Sequence, residues 1–426
     1  MCSLAAAPST VPRPSFLTAP STSSKFQFCP LPFPSSSRVV VCNNSGSGVH
    51  HVSSDLKFVL HDALDASGID TTHAREAREE FCQQIQKFTV IEKQTSICIN
   101  RSVDLGRTAL YIAAEDDSLV SHSSVPLPVD AFIVRLDDLS MDYCPHYRPE
   151  YDSSPEKFLE SIERFLYFHK GFKRANTNLL EPRALYLHSV LTHRTGSAAM
   201  LSLVYSEILK MLRLWGLLYF DAEIFFPHDC LTLPNAYHKQ KSKESDQPHI
   251  ITSANLLVEI LNNLKHAFWP FRHDHSKNLF LRAADAANCV DRSVFVGESG
   301  SQIASAKAAQ HRLDRGVWTS VHFGDMRRSL SACERLILLK NEANELRDYS
   351  ILLYHCGLYE ESQQYLKKYH DMRSTSTQVV PSNSLSSLEE DAVDKLMMRL
   401  NLILMEQGWS RPSYARNFLS NNSEPW

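Results

Sequence analysis

Apolar residues recur at helical spacing through most of this chain, and one short stretch changes period. "THAREAREEFCQQIQ" (72–86) and "TALYIAAEDD" (108–117) read as helices, and "DAFIVRLDDLSMDY" (130–143) repeats them with apolar residues at 132, 133, 136 and 139. "SSPEKFLESIERFLYFHKGF" predicts a further helix, with Ser154 as its cap, Pro155 in its first turn and Gly171 just past its end. Phe158, Ile162, Phe165 and Leu166 make its buried stripe. "RTGSAAMLSLVYSEILKMLRLWGLL" (194–218) is apolar on nearly every side and carries only Glu207, Lys210 and Arg213 after its Gly196 turn, so it predicts a helix in the domain interior. Then the period drops to two. Leu218, Phe220, Ala222, Ile224 and Phe226 alternate with Tyr219, Asp221 and Glu223, the pattern of a half-buried strand that ends at His228, Asp229 and Cys230.

After the polar segment 238–252 the pattern is helical again: 253–271, about 277–312, about 325–340 and 343–370. Within the last of these, Gly357 and Tyr359 stand where two short antiparallel helices turn, and Glu360 opens the second. A small residue for close approach followed by an aromatic wedge is what a tetratricopeptide-type hairpin requires. A linker (373–387) leads to a last helix (388–409), with Ser387 and Glu390 as its expected capping box and Leu396, Leu400 and Leu404 as its stripe.

Composition changes this picture mainly at the start. Residues 1–54 contain no Asp or Glu, are rich in Ser, Thr, Pro and Ala, and hold only Arg13, Lys25 and Arg38 as bases. That is the composition of a chloroplast transit peptide, so a stromal location is expected. Without those three bases the formal charge moves from −4 to −7, which gives no electrostatic case for a nucleic-acid or membrane partner. The ten cysteines stand singly, with no C-x-x-C spacing, which argues for reduced thiols rather than a disulfide framework or a zinc site.

From about 105 to 371 the chain resembles the SirB1-type family, a transglutaminase-like N-terminal domain followed by tetratricopeptide-like helices. The landmarks run in order: "ALYIAAED" (109–116), "VRLDDLS" (134–140), "RFLYFHKGFKR" (164–174), "NLLEPRALYLHSVLTHRTG" (178–196), "LSLVYSEILKML" (201–212), "EILNNLKHAF" (259–268) and the stretch 334–366. The resemblance implies an α+β, mostly helical fold, with a papain-like core over 55–237 and a helical appendage over 253–372. In catalytic members of the wider superfamily a Cys at the start of the buried helix attacks a carbonyl, a strand His activates it and an Asp orients that His. A helix N-terminus favours the thiolate and the imidazole takes the proton. This chain has no Cys between Cys144 and Cys230. The family's G-I-P-I-S-L-S stands here as G-S-A-A-M-L-S, with Ala198 in place of Pro and Met200 in the nucleophile region. His228 matches the strand-end His, and no acidic D-P-F segment is recognisable after it.

The candidate chemistry is therefore sparse. His228 and Cys230 share a side of an extended segment beside Asp229, which makes them the remaining catalytic pair. Ser202 and Ser197 are alternative nucleophiles if a His lies close, although a Ser at a helix start is usually a cap. His273 and His275 flank Asp274 without a third ligand at suitable spacing, so no metal is expected. There is no Gly-rich phosphate loop or dinucleotide fingerprint, and no cofactor is expected. Gly196, Glu207, Gly357 and Tyr359 read as structural landmarks. The expected role is a non-catalytic scaffold that binds a plastid protein partner through its C-terminal helices. The competing expectation is a thiol-dependent acyltransferase or peptidase using Cys230 and His228.

Overall fold

Helices α1 (Val59–Ala66), α2 (Thr72–Gln86), α3 (Val90–Gln94), α4 (Leu105–Ser121) and α5 (Val129–Tyr147) open the structure. A computed structural model describes residues 58–98, 102–121, 125–147, 154–175, 181–227, 232–239, 250–271, 278–290, 300–320, 324–375 and 384–409. The acid-free segment 1–54, His228, Asp229, Cys230 and the 272–277 histidines lie outside the described residues.

Helix α6 (Pro155–Glu163) runs on into a π-helical stretch, Arg164–His169. Ser154 stands at its N-cap with extended backbone, yet its side chain makes no capping bond, contrary to expectation. Gly171 ends the stretch at φ +70°, a left-handed conformation that glycine adopts without strain. Next come β1 (Lys173–Arg174), α7 (Leu187–His193), β2 (Thr195–Gly196) and α8 (Ala198–Leu214), the expected buried helix. The two-stranded antiparallel ribbon of β3 (Ala222–Phe225) and β4 (Asn235–His238) follows. Strand β3 is shorter than the period-two stretch, and Glu223, expected to face solvent, is buried with Lys239 at 3.6 Å.

The C-terminal half contains α9 (Ser253–Phe268), α10 (Leu279–Ala286), α11 (Gly300–Asp314), the hairpin β5 (Thr319–Ser320) and β6 (Gly324–Asp325), α12 (Met326–Lys340), α13 (Ala343–His355), α14 (Tyr359–Thr375) and α15 (Ser384–Trp409). The segment expected as helical over about 277–312 holds α10 and α11, and Asn288 takes φ +53° just after α10. Gly357, at φ +77°, turns α13 into α14 as the pattern required. Ser350 and Ser362 then exchange hydroxyl-to-carbonyl bonds of 2.8 Å each way, so the two helices cross closely. The expected capping box is not formed: α15 starts at Ser384, Ser387 lies inside it, and Glu390 pairs with Arg373 instead.

Two apolar cores share these helices. The first gathers α4, α6, α7, α8 and β3, and it also takes Leu257, Leu261, Leu264 and Phe268 from α9 and Leu336 from α12. The second gathers α10, α13, α14 and α15 around α12, and it takes Leu60 and Leu64 from α1. The cores therefore interlock across the polar segment 238–252 rather than dividing there.

Between them lies a fully buried ionic cluster. Arg78 on α2 donates to both oxygens of Glu115 on α4 (2.8 and 2.6 Å) and to Glu334 on α12 (2.9 Å). Arg335 binds Asp116, which also accepts from Tyr186 Oη at 2.7 Å. Ser331 joins the two arginines by accepting from Arg78 at 3.0 Å and from Arg335 at 3.2 Å, and it donates to Glu115 at 2.5 Å. Glu334 accepts from Tyr349 Oη (2.7 Å) and from the Leu60 amide of α1 (2.9 Å). The facing arginines hold the Glu115 carboxyl down at about 2 against the pull of burial. For Asp116 and Glu334 burial prevails and raises the pKa. Charges at such sites are tolerable only when each partner is satisfied.

His61 sits against this cluster, Nε2 3.5 Å from Glu115, with neither ring nitrogen hydrogen-bonded. Burial lowers its pKa to about 3, and the pull of Glu115 does not restore it because that carboxylate is already committed to two arginines. Burial likewise lowers His355 to about 4. Well above pH 6.5 both rings are neutral in either state and contribute nothing to the pH dependence. Below it the unfolded chain takes up protons that the folded chain refuses, so stability falls with pH. Each ring is expected to remove about 1.4 kcal/mol per pH unit, His355 down to about pH 4 and His61 down to about pH 3. Chemical denaturation at a series of pH values checks this. A His61→Leu chain with an unchanged slope between pH 6 and 4 would refute the assignment.

Candidate functional site

The head of α8 is the place where a transglutaminase-like nucleophile would stand. The chain reaches it through Arg194, whose left-handed backbone (φ 57°) ends α7, and through β2, which pairs in parallel with β1. Gly196 sits in close packing: a Cβ there would lie 3.0 Å from Val190 Cγ1 and 3.4 Å from Leu201 Cδ2, so those side chains would have to shift. The Ser197 amide donates to Ala184 O at 2.9 Å, and its hydroxyl accepts from the Met200 amide at 3.3 Å. Ser197 is thus the helix cap, the ordinary role of a Ser at that position.

The next residues close the site. Ala198, Ala199 and Met200 are buried, Met200 with 1% of its surface exposed. Ser202 is completely buried, and its hydroxyl has no hydrogen-bond partner and so no base to take its proton. Glu207, on the same helix, is held by Lys210 at 3.1 Å and by the Gly106 amide at the start of α4. It joins two helices. Burial raises its pKa.

Four of the described thiols, Cys98, Cys289, Cys333 and Cys356, offer no substitute. Cys98 is 5% exposed beside β3, and burial pushes it up to about 12. Burial raises Cys289, Cys333 and Cys356 as well. A nucleophilic cysteine needs the reverse, a depressed pKa and access to solvent. His188 on α7 packs between Tyr186 and Phe132, at ring separations of 5.8 and 5.7 Å, and burial lowers its pKa. Among the described residues no group of three or more His, Cys, Asp or Glu side chains is placed to hold a metal ion. None of the helices there is long and apolar enough to cross a membrane.

Sequence reasoning missed strand β4, which occupies "NAYH" where an acidic segment was sought. Tyr167 ties that strand to the π-helical stretch by donating to Pro234 O at 2.5 Å, and Glu163 accepts from the Ala236 amide at 3.3 Å. The strand is too short to show alternation. The ionic cluster was missed too, although a signal existed: Glu334 falls on the apolar stripe of Leu330 and Ile337, a buried position for a charge. Its members lie beneath the surface, so it can position helices but cannot meet a substrate.

Comparison with known proteins agrees with the geometry of this half. Residues 130–215 match the family described as the transglutaminase-like superfamily. The match runs from α5 to the C-cap of α8 and ends before β3. No curated protein and no solved structure matches the chain. The chain therefore carries a transglutaminase-like domain whose central helix, α8, is capped by Ser197 and begins with buried Ala198, Ala199 and Met200 instead of a thiol.

Proposed function

We propose that the chain is a plastid member of the SirB1-type family that works as a non-catalytic scaffold of the stroma, engaging a protein partner through its C-terminal helices. One observation carries the reading. The helix that would present the nucleophile begins with the half-buried capping Ser197 and the buried Ala198, Ala199 and Met200, none of them an ionisable group. The acid-free start of the chain supports the plastid part, and the hairpin of α13 and α14, turned at Gly357 and wedged by Tyr359, supports a tetratricopeptide-like appendage. Such helical layers serve partner binding more often than chemistry.

The test restores the full chain, carrying His228→Ala and Cys230→Ser together, to plants that lack the protein. The expected outcome is full recovery, with Cys230 of the unsubstituted chain labelled no faster at pH 7 than a model thiol. A folded double variant that fails to restore function, together with fast Cys230 labelling lost in His228→Ala, would replace the scaffold with a thiol-dependent acyltransferase or peptidase. Partner capture is best compared between surface variants. Ending the chain at Gln247 removes α9, whose Leu257, Leu261, Leu264 and Phe268 fill the first core.

A further inference from the structure

The short helix α1 covers the ionic cluster. Its inner face seats Leu60 and Leu64 in the second core and holds His61 between them with no surface exposed. The Leu60 amide donates to Glu334 at 2.9 Å. On the outer face Asp62 and Asp65 pair with Arg75 of α2 at 2.7 and 2.5 Å, and Thr71 Oγ1 donates to Asp65 at 2.7 Å. Both carboxylates of these ion pairs are exposed, and pairs of that kind hold weakly. Past α1 the chain turns at Gly68, where φ is +82° and nothing lies within 4 Å of the position a Cβ would take. That turn is not packed down.

The surroundings of His61 decide what acid does to this contact. Glu115 of α4 stands 3.5 Å from Nε2, but it is shared by Arg78 of α2 and Arg335 of α12. Arg75, Arg78 and Arg335 all oppose a positive charge on the ring. Glu334 of α12 is taken up by Arg78, Tyr349 and the Leu60 amide. Phe58 offers only a ring edge, at 5.7 Å. Neither ring nitrogen has a hydrogen-bond partner. An imidazolium carries two N–H donors and a charge that must be solvated, and this seat provides for neither. In water the same ring takes its proton near pH 6.5. A docked α1 therefore excludes the proton, and an undocked one accepts it. The sign follows: acid favours the undocked helix.

We propose that α1 is an acid-released latch: protonation of His61 detaches the helix from the ionic cluster, with the turn at Gly68 as its hinge, while the rest of the fold stays closed. Release uncovers Glu115, Glu334 and the apolar seats of Leu60 and Leu64. The proposal is independent of the scaffold reading.

Hydrogen exchange of the full chain at pH 7, 6 and 5, corrected for the intrinsic rate, tests it. At pH 7 the amides of residues 60–66 are expected to exchange at least about tenfold faster than those of α12, the mark of a local opening. Between pH 7 and pH 5 their opening constant should rise about 25-fold, the ratio for a ring that titrates at 6.5 when free and at about 3 when docked. His61→Leu occupies the seat without a proton to take up, and its 60–66 amides should change less than about threefold over the same range. Should that variant fold poorly, His61→Phe, which keeps a ring against Phe58, takes its place.

Exchange of 60–66 in step with α12 at pH 7 overturns the proposal, because α1 then leaves only when the whole fold does. So does protection that stays level between pH 7 and pH 5. A rise that the His61 variants keep in full overturns it as well, and assigns the titration to Glu334 or Asp116.

Discussion

Arg78→Met is expected to destabilise the fold by about 3–5 kcal/mol. The side chain is completely buried and bonds to Glu115 through two nitrogens and to Glu334 through a third. Burial alone would lower its pKa, but the carboxylates of Glu115 and Glu334 outweigh that and raise it. Methionine fills much of the volume and leaves two carboxylates facing each other in the interior. Arg78→Lys should recover only part of the loss, because one ammonium cannot bridge two carboxylates in the geometry of a planar fork. Urea unfolding at pH 7 gives the measurement. A cost below about 1 kcal/mol would mean that the carboxylates are hydrated or protonated instead of ion-paired, the range typical of exposed pairs.

The second large effect belongs to Gly324, the first residue of β6, which pairs with Ser320 of β5. Its φ is +97°, and a Cβ there would lie 2.6 Å from Pro270 Cα, 2.7 Å from Trp269 O and 2.9 Å from Phe268 O. All three are backbone atoms at the end of α9, so no side-chain rotation relieves the contact. Gly324→Ala is expected to cost about 3 kcal/mol or more, a backbone strain of 1–3 kcal/mol plus the displacement of α9 from α12. Gly68→Ala supplies the control. Gly68 also has positive φ, +82°, but nothing lies within 4 Å of the position its Cβ would take. Its cost should stay near about 1 kcal/mol, the penalty of a left-handed alanine. Equal Tm shifts in the two variants would show that the contact at Pro270 yields.

Much of the helical framework was legible because the apolar period was strong. Helices α2, α5, α8 and α12 fall where their stripes put them, and the turn at Gly357 follows from its residue types. Strands of two to four residues carry too few positions to display alternation, so β1, β2, β4, β5 and β6 left no trace. The cap at Ser197 was foreseen as the ordinary alternative to a nucleophile. The missing cap bond of Ser154 and the early start of α15 depend on local geometry that pattern does not reach. Glu223 shows the limit most clearly. Its place in the alternation points outward, and only the pairing of β3 with β4 and the reach of Lys239 explain why it is buried.

The bond from the Leu60 amide to Glu334 spans 274 residues. A chain synthesised from its N-terminus therefore presents α1 long before α12, the surface that receives it, has been made. Until then Leu60 and Leu64 have no core to enter, because the second core is built almost wholly from residues after 268. Contacts this distant along the chain slow folding and lengthen the exposure of apolar surface. The newly made protein thus waits for α12 and the helices after it before Leu60 and Leu64 can be buried.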